Sequence, residues 1–141
     1  MLSQAHSQIV VATAGPGFSD VTRPVAQWLA SIGAADGLVT IFVRHTSASL
    51  TIQENADPDV LRDLAGTLEQ LAPRGARYHH SIEGPDDMPA HIKSMLTAAS
   101  LSVPVVAGSM VLGTWQAIYL IEHRDRPHSR EMALHYVGAT R

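Results

Sequence analysis

Eight histidines and thirteen acidic side chains occur in a chain with no cysteine, so any metal held here needs nitrogen and oxygen ligands. Neutral imidazoles and carboxylates suit zinc, iron, nickel or manganese, and a catalytic ion commonly keeps one position open for water or substrate. The reactive groups fall into four clusters. The first is Arg44-His45-Thr46-Ser47-Ala48-Ser49, followed by Glu54-Asn55-Ala56-Asp57. The others are Tyr78-His79-His80 with Glu83, then Asp86-Asp87 with His91, and then Glu122-His123-Arg124-Asp125. His45, His80 and His91 are the candidate ligands, yet their separations of 35 and 11 positions match no compact motif such as H-E-x-x-H. From spacing alone, such histidines are more often surface or hydrogen-bonded groups than ligands.

Other chemistries are weaker. His45-Thr46-Ser47 sets a base beside hydroxyls, but neighbours along a strand point to opposite faces, and the sequence contains no G-x-S-x-G elbow. Thr46 and Ser47 are better read as satisfying backbone groups at a strand end. Neither G-x-x-x-x-G-K-[ST] nor G-x-G-x-x-G is present, which excludes Walker and Rossmann phosphate sites. A less formal phosphate site built from Arg44, Arg130, Thr46, Ser47 and Thr114 stays open. Trp115, beside Gly113-Thr114, reads first as a core anchor in a long strand and second as the wall of a ring-binding pocket.

The elements that must carry these groups follow from pattern. With 141 residues, 45% of them hydrophobic, a single domain over residues 1–141 is expected. Gln8–Thr13 reads as a strand ended by Gly15-Pro16-Gly17. Val21, Val25, Trp28, Leu29 and Ile32 recur at helical spacing, with Thr22 as cap and Gly33 as stop. Strands are expected at Leu38–Arg44 and Ser49–Gln53. Asp57-Pro58 opens a helix whose stripe is Val60, Leu61, Leu64, Leu68 and Leu71. A polar loop over Tyr78–Pro89 leads into a third helix starting near Asp87, followed by strands at Leu101–Val106, Met110–Arg124 and Glu131–Val137. This order predicts an α+β fold with antiparallel strands in packed layers and helices outside.

Net charge is −3, and nine arginines and one lysine are scattered, which argues against nucleic-acid binding. The uncharged run Ser94–Ile121 is interrupted by Pro104, Gly108 and Gly113, so it reads as strands rather than a membrane span. The N-terminus lacks the basic and apolar regions of a signal peptide. A cytoplasmic location is the expectation.

Four blocks carry a resemblance. His45-Thr46-Ser47-Ala48-Ser49-Leu50-Thr51-Ile52-Gln53-Glu54-Asn55-Ala56-Asp57-Pro58 is similar to an H-T-[ST]-A-[AS]-L-T-[IL]-x-E-N-x-D-P block. Glu83-Gly84-Pro85-Asp86-Asp87-Met88-Pro89-Ala90-His91-Ile92-Lys93-Ser94 resembles E-G-x-D-D-M-P-x-H-I-K-S. Leu112–Ile118 resembles L-G-T-W-Q-G-I, and Glu122-His123-Arg124 resembles E-H-R. All four resemble the YjbQ family of secondary thiamine-phosphate synthase enzymes, in the same order and over most of the chain.

The resemblance implies an α+β protein on a mixed β-sandwich with about three outer helices, assembling as a homotrimer. It also implies a weak thiamine-phosphate synthase activity, joining a pyrimidine diphosphate to a thiazole phosphate with loss of pyrophosphate. The family's histidines fall on His45, His80 and His91, its acidic positions on Glu54, Asp57, Asp87 and Glu122, its tryptophan on Trp115 and a late arginine on Arg130. Glu131 replaces a second late arginine, Gly108-Ser109 replaces a G-R turn, and Thr97-Ala98-Ala99 lacks the family's glycine. These departures bear on phosphate recognition.

The leading expectation is a divalent ion, zinc or another transition metal, on His45, His80 and His91, with Glu54, Glu122 or Asp87 in catalytic roles. Thr46, Ser47, Trp115 and Arg130 are expected to bind a small phosphorylated substrate. Magnesium would enter with a diphosphate, since it prefers oxygen ligands. A histidine-held transition ion suits water activation better than diphosphate departure, which marks the thiamine activity as a side reaction. The alternative is a non-catalytic trimeric module that holds an anionic ring compound between Trp115 and Arg130.

Overall fold

The computed structural model describes all residues, Met1–Arg141. Its elements are β1 (Ser3–Thr13), β2 (Gly17–Asp20), α1 (Thr22–Ser31), β3 (Ala34–Val43), β4 (Ala48–Glu54), α2 (Pro58–Leu71), α3 (Asp87–Leu96), β5 (Ser100–Val106), β6 (Ser109–Met110), β7 (Gln116–Glu122) and β8 (His128–Thr140). The expected α+β class with three helices is what forms.

The strands make two sheets, ordered β1-β8-β3-β5-β6 and β2-β7-β4. Every pairing is antiparallel, so the sheets are not mixed. Period-two alternation sets which side chains face inward. Along β8, Met132, Leu134 and Tyr136 are buried while Val137 is exposed. These residues join Val39, Ile41 and Val43 of β3, Val103 and Val105 of β5, Leu50 of β4, and Ile118 and Leu120 of β7 in one apolar cluster. α1 adds Val25 and Leu29. The core therefore draws on both sheets.

Local chemistry explains the element ends. Asp57 accepts a hydrogen bond from the Asp59 N–H at 2.9 Å, with Pro58 in the first turn, as the cap-plus-proline pair predicts. Gly33 has φ +65°, a left-handed conformation that stops α1 at low cost only for glycine. Thr22, expected as the α1 cap, is instead the first helical residue. Its Oγ1 accepts from the Ile118 N–H at 2.8 Å, and Asp20 accepts from the Thr22 N–H at 2.9 Å.

Two further expectations change. A four-residue strand, β2, lies between the Gly15–Gly17 turn and α1; it is too short for its alternation to be seen. The single strand expected over Met110–Arg124 is broken. β6 and β7 belong to different sheets, and Gln116 closes the turn between them, its Oε1 accepting from the Gly113 N–H at 2.7 Å. No helix is long and apolar enough to cross a membrane.

Candidate functional site

β7 ends at Glu122, and the chain then runs His123-Arg124-Asp125 into the loop before β8. These residues pin the long loop between α2 and α3. Arg124 Nε donates to Asp86 at 2.8 Å, Arg124 Nη2 donates to the Glu83 carbonyl at 2.9 Å, and the Asp125 N–H donates to Asp86 at 2.9 Å. Arg74 forms a two-pronged pair with Asp125. Burial alone would raise the Asp86 carboxyl, but the hydrogen bonds from Arg124 and the Asp125 backbone hold it down to about 2.

The pinned loop brings His80 to α3. Asp87 and His91 lie four residues apart and so share one face of that helix. His80 Nε2 is 2.6 Å and His91 Nε2 3.2 Å from the same Asp87 oxygen. The imidazole centroids are 5.4 Å apart. One donor atom from each of the three residues lies within 4.8 Å of the others. The second Asp87 oxygen is 2.9 Å from Arg124 Nη1. Burial pushes the Asp87 carboxyl up, yet the His80 hydrogen bond and the Arg124 charge outweigh it and keep its pKa low. Two histidines and one carboxylate, oriented by an arginine behind the carboxylate, form a donor set suited to a divalent transition ion.

His45 is not brought to this group. Its Nε2 accepts the Glu131 backbone N–H at 2.8 Å, and its Nδ1 is 3.4 Å from Arg130 Nη1. The lone pair a metal would need is already engaged. Asp87, expected in a catalytic role, takes the third place instead.

Glu122 and Arg130 form a buried pair, with side chains 1% and 4% exposed. Glu122 accepts from Arg130 Nε at 2.8 Å, from Thr13 Oγ1 at 2.6 Å and from the Arg124 N–H at 3.1 Å. Burial raises its carboxyl, but the bonds from Arg130 and Thr13 more than reverse this and keep it ionised. With its oxygens occupied, Glu122 orients Arg130 and has little capacity left to act as a base. Arg130 Nη2 also donates to Ser47 Oγ at 3.0 Å, while Thr46 is exposed on the same turn.

Glu54 and Trp115 lie elsewhere. In the small sheet Ala48 faces Glu122 and Glu54 faces Gln116, so the two ends are about 20 Å apart at roughly 3.3 Å per residue. Glu54 accepts from the Asp57 N–H at 3.2 Å, next to the start of α2. Trp115 is 62% exposed, which overturns its first reading as a core anchor. The turn between β6 and β7 takes it out of the sheet. Within one chain, Trp115 and Arg130 do not meet.

Thr13 on Glu122 was not singled out from sequence, while Arg124 behind Asp87 and the buried pair Ser49–His123 stood in the polar clusters with no role assigned. The E-H-R block was the available signal for Arg124. Ser49 Oγ is 2.8 Å from His123 Nε2, but Ser49 is wholly buried and so is inaccessible as a nucleophile. Burial, then the Lys93 charge, lowers the His123 pKa from 6.5 to about 4. The unfolded chain takes up this proton near pH 6.5 and the folded chain only near 4, so stability is lost as pH falls through that window. Urea denaturation between pH 6.5 and 5 should show a decline approaching about 1.4 kcal/mol per unit from this group. In His123→Gln the decline should flatten; an unchanged slope would refute the assignment.

The comparisons with known proteins agree with these blocks. The family model described as UPF0047 protein YjbQ-like matches residues 7–139. A UPF0047 protein of Synechocystis sp. is 53% identical over 135 residues, covering 94% of this chain and 92% of its own. The UPF0047 protein YjbQ of Escherichia coli O157:H7 is 43% identical over 117 residues, covering 82% and 85%. The crystal structure of a YbjQ-like protein from Sulfolobus solfataricus P2 superposes with a TM-score of 0.91 over 99% of this chain and 100% of that one. At 24% identity that likeness speaks for the fold. With a family model spanning nearly the whole sequence, and relatives 53% and 43% identical over more than four fifths of it, the chain belongs to the YjbQ-like UPF0047 family.

Proposed function

We propose that the chain is a metal-dependent cytoplasmic enzyme acting on a small phosphorylated substrate, with thiamine-phosphate synthase activity as a side reaction. The observation that carries this reading is the convergence of His80, Asp87 and His91 within 4.8 Å. These residues would hold zinc or another transition ion, and such an ion supplies Lewis acidity and a water of lowered pKa. Arg124 keeps Asp87 ionised and aimed. A cavity of about 470 Å³ with no hydrophobic residue in its lining sets Arg124, Arg126 and His128 beside Glu83, Asp86 and Asp125, and a smaller one of about 190 Å³ includes Arg74, Tyr78 and His80. Polar space beside a metal donor set suits a small polar substrate, and Arg126 and His128 are the groups there that could meet a phosphate.

The test is metal analysis of the purified chain by mass spectrometry, with turnover assayed on phosphate esters and on the pyrimidine diphosphate and thiazole phosphate pair. About one ion per chain is expected for a site with three protein ligands, with activity lost on chelation and restored by the ion. A chain that neither retains nor takes up zinc, iron or manganese would overturn the reading.

We further propose assembly as a homotrimer through the outer face of the five-stranded sheet. That face is uncovered and carries Leu38, Phe42 and Val137, which are 44%, 47% and 40% exposed. Adjacent exposed apolar side chains on a sheet face mark an interaction surface. Light scattering should give three times the 15.1 kDa chain mass, and Phe42→Asp should yield monomer. A monomeric wild-type chain at micromolar concentration would rule the trimer out.

A further inference from the structure

Arg130 Nη1 is a buried donor facing another donor. The Arg130 side chain is 4% exposed, and its Nε and Nη2 are engaged by Glu122 and Ser47. Nη1 faces His45 Nδ1 at 3.4 Å. What that ring nitrogen carries is decided on the other side of the ring. The Glu131 backbone N–H can only donate, and it reaches His45 Nε2 at 2.8 Å, so Nε2 presents its lone pair. A neutral imidazole has one N–H, and burial together with the Arg130 charge disfavours protonation of His45. The proton therefore sits on Nδ1, and two N–H groups confront one another.

Ser47 lies beside the same guanidinium, its carbonyl accepting from Arg130 Nη2 at 3.2 Å. Ser47 Oγ accepts from Arg130 Nη2 at 3.0 Å, and its own proton has no acceptor in the chain. The backbone N–H groups of Thr46 and Ser47 also lack a backbone acceptor. The nearby negative charges are already engaged: Glu122 by Arg130, and Glu131 by Arg44 at 3.0 Å. A buried donor without an acceptor is costly, and one acceptor oxygen between these groups removes the conflict.

We propose that Arg130 Nη1, His45 Nδ1 and the Ser47 hydroxyl form a binding site for one oxyanion, a phosphate or carboxylate. His45 then serves as an anion-binding donor and not as a metal ligand. The site does not depend on an ion at His80, Asp87 and His91.

The experiment titrates inorganic phosphate, and separately acetate, into the full-length chain after chelator treatment and dialysis, so loss of metal does not bear on it. Binding is read by calorimetry, and the His45 tautomer by proton–nitrogen NMR. The expected result is an Nδ1–H tautomer whose Nδ1 resonance shifts on saturable phosphate binding. Losing one hydrogen bond to a charged ligand should weaken phosphate binding by about ten-fold in His45→Leu, and measurably in Ser47→Ala. His45→Gln offers both an acceptor and a donor and should stay within about three-fold of wild type. Acetate binding as tightly as phosphate identifies a single-oxyanion site, whereas phosphate alone identifies a tetrahedral one; either supports the proposal. An Nε2–H tautomer, no saturable binding of either anion, or undiminished binding in both His45→Leu and Ser47→Ala overturns it.

Discussion

Glu122→Gln should destabilise the protein by about 3–5 kcal/mol, the usual cost of removing one partner from a buried ion pair. Glutamine would leave the Arg130 charge uncompensated in a site where that side chain is 4% exposed. Its amide would also present hydrogens to Arg130, Thr13 or the Arg124 N–H, all of which now donate to Glu122. Small domains are stable by about 5–15 kcal/mol, so the variant should sit close to the folding threshold. The measurement is chemical denaturation at pH 7. The same pair sets an acid limit. Because the folded Glu122 pKa lies below the usual 4.5, its contribution is present above that value and lost as pH falls through the folded pKa. A double variant, Glu122→Leu with Arg130→Met, should recover part of the loss, since it leaves no orphaned charge. A Glu122→Gln protein within about 1 kcal/mol of wild type would show that the pair carries little, as exposed pairs do.

Asp87→Asn should abolish metal retention. Asp87 is the one residue that both histidines contact, through a single oxygen at 2.6 and 3.2 Å. In that arrangement the two imidazoles donate N–H to the carboxylate, and an ion bound at those nitrogens would require each N–H to move to the other ring nitrogen. Removing a partner behind a metal ligand typically costs about 10–100-fold in affinity, and removing the anionic ligand itself should cost more than about 100-fold. Competition with a chromophoric chelator reads this directly. His91→Ala should behave likewise, whereas His45→Gln should leave metal affinity within about two-fold, because outer-partner effects on a site it does not touch are absent. Asp87→Asn also weakens the contact with Arg124, so thermal denaturation run alongside separates loss of the site from loss of the fold. Equal metal affinity in wild type, Asp87→Asn and His91→Ala would end the case for this site.

Much of the fold was legible because its signals are local. The Asp57-Pro58 cap, the Gly33 stop and the alternation along β3 and β8 each depend on neighbouring residues. β2 and the division of Met110–Arg124 were not legible. A four-residue strand has too little period to detect, and a chain that leaves one sheet for another shows no change in hydrophobicity as it does so. Trp115 was misread for the same reason, since the turn beside Gly113 carries it out of a pattern that looked continuous.

The residue types alone limited any metal site to nitrogen and oxygen ligands, and their blocks identified the family and most of the side chains that matter. They could not say which of those side chains meet. Asp87 and His91 are four apart on one helix, a proximity that helical geometry supplies. His80 joins them only because Arg124 and Asp125, from the loop between β7 and β8, hold its loop in place. His45 was separated from them by a backbone N–H on β8 and a buried arginine, contacts spanning more than eighty residues of sequence. Ligand sets and proton positions depend on such long-range pairings, and these exist only once the sheets have formed.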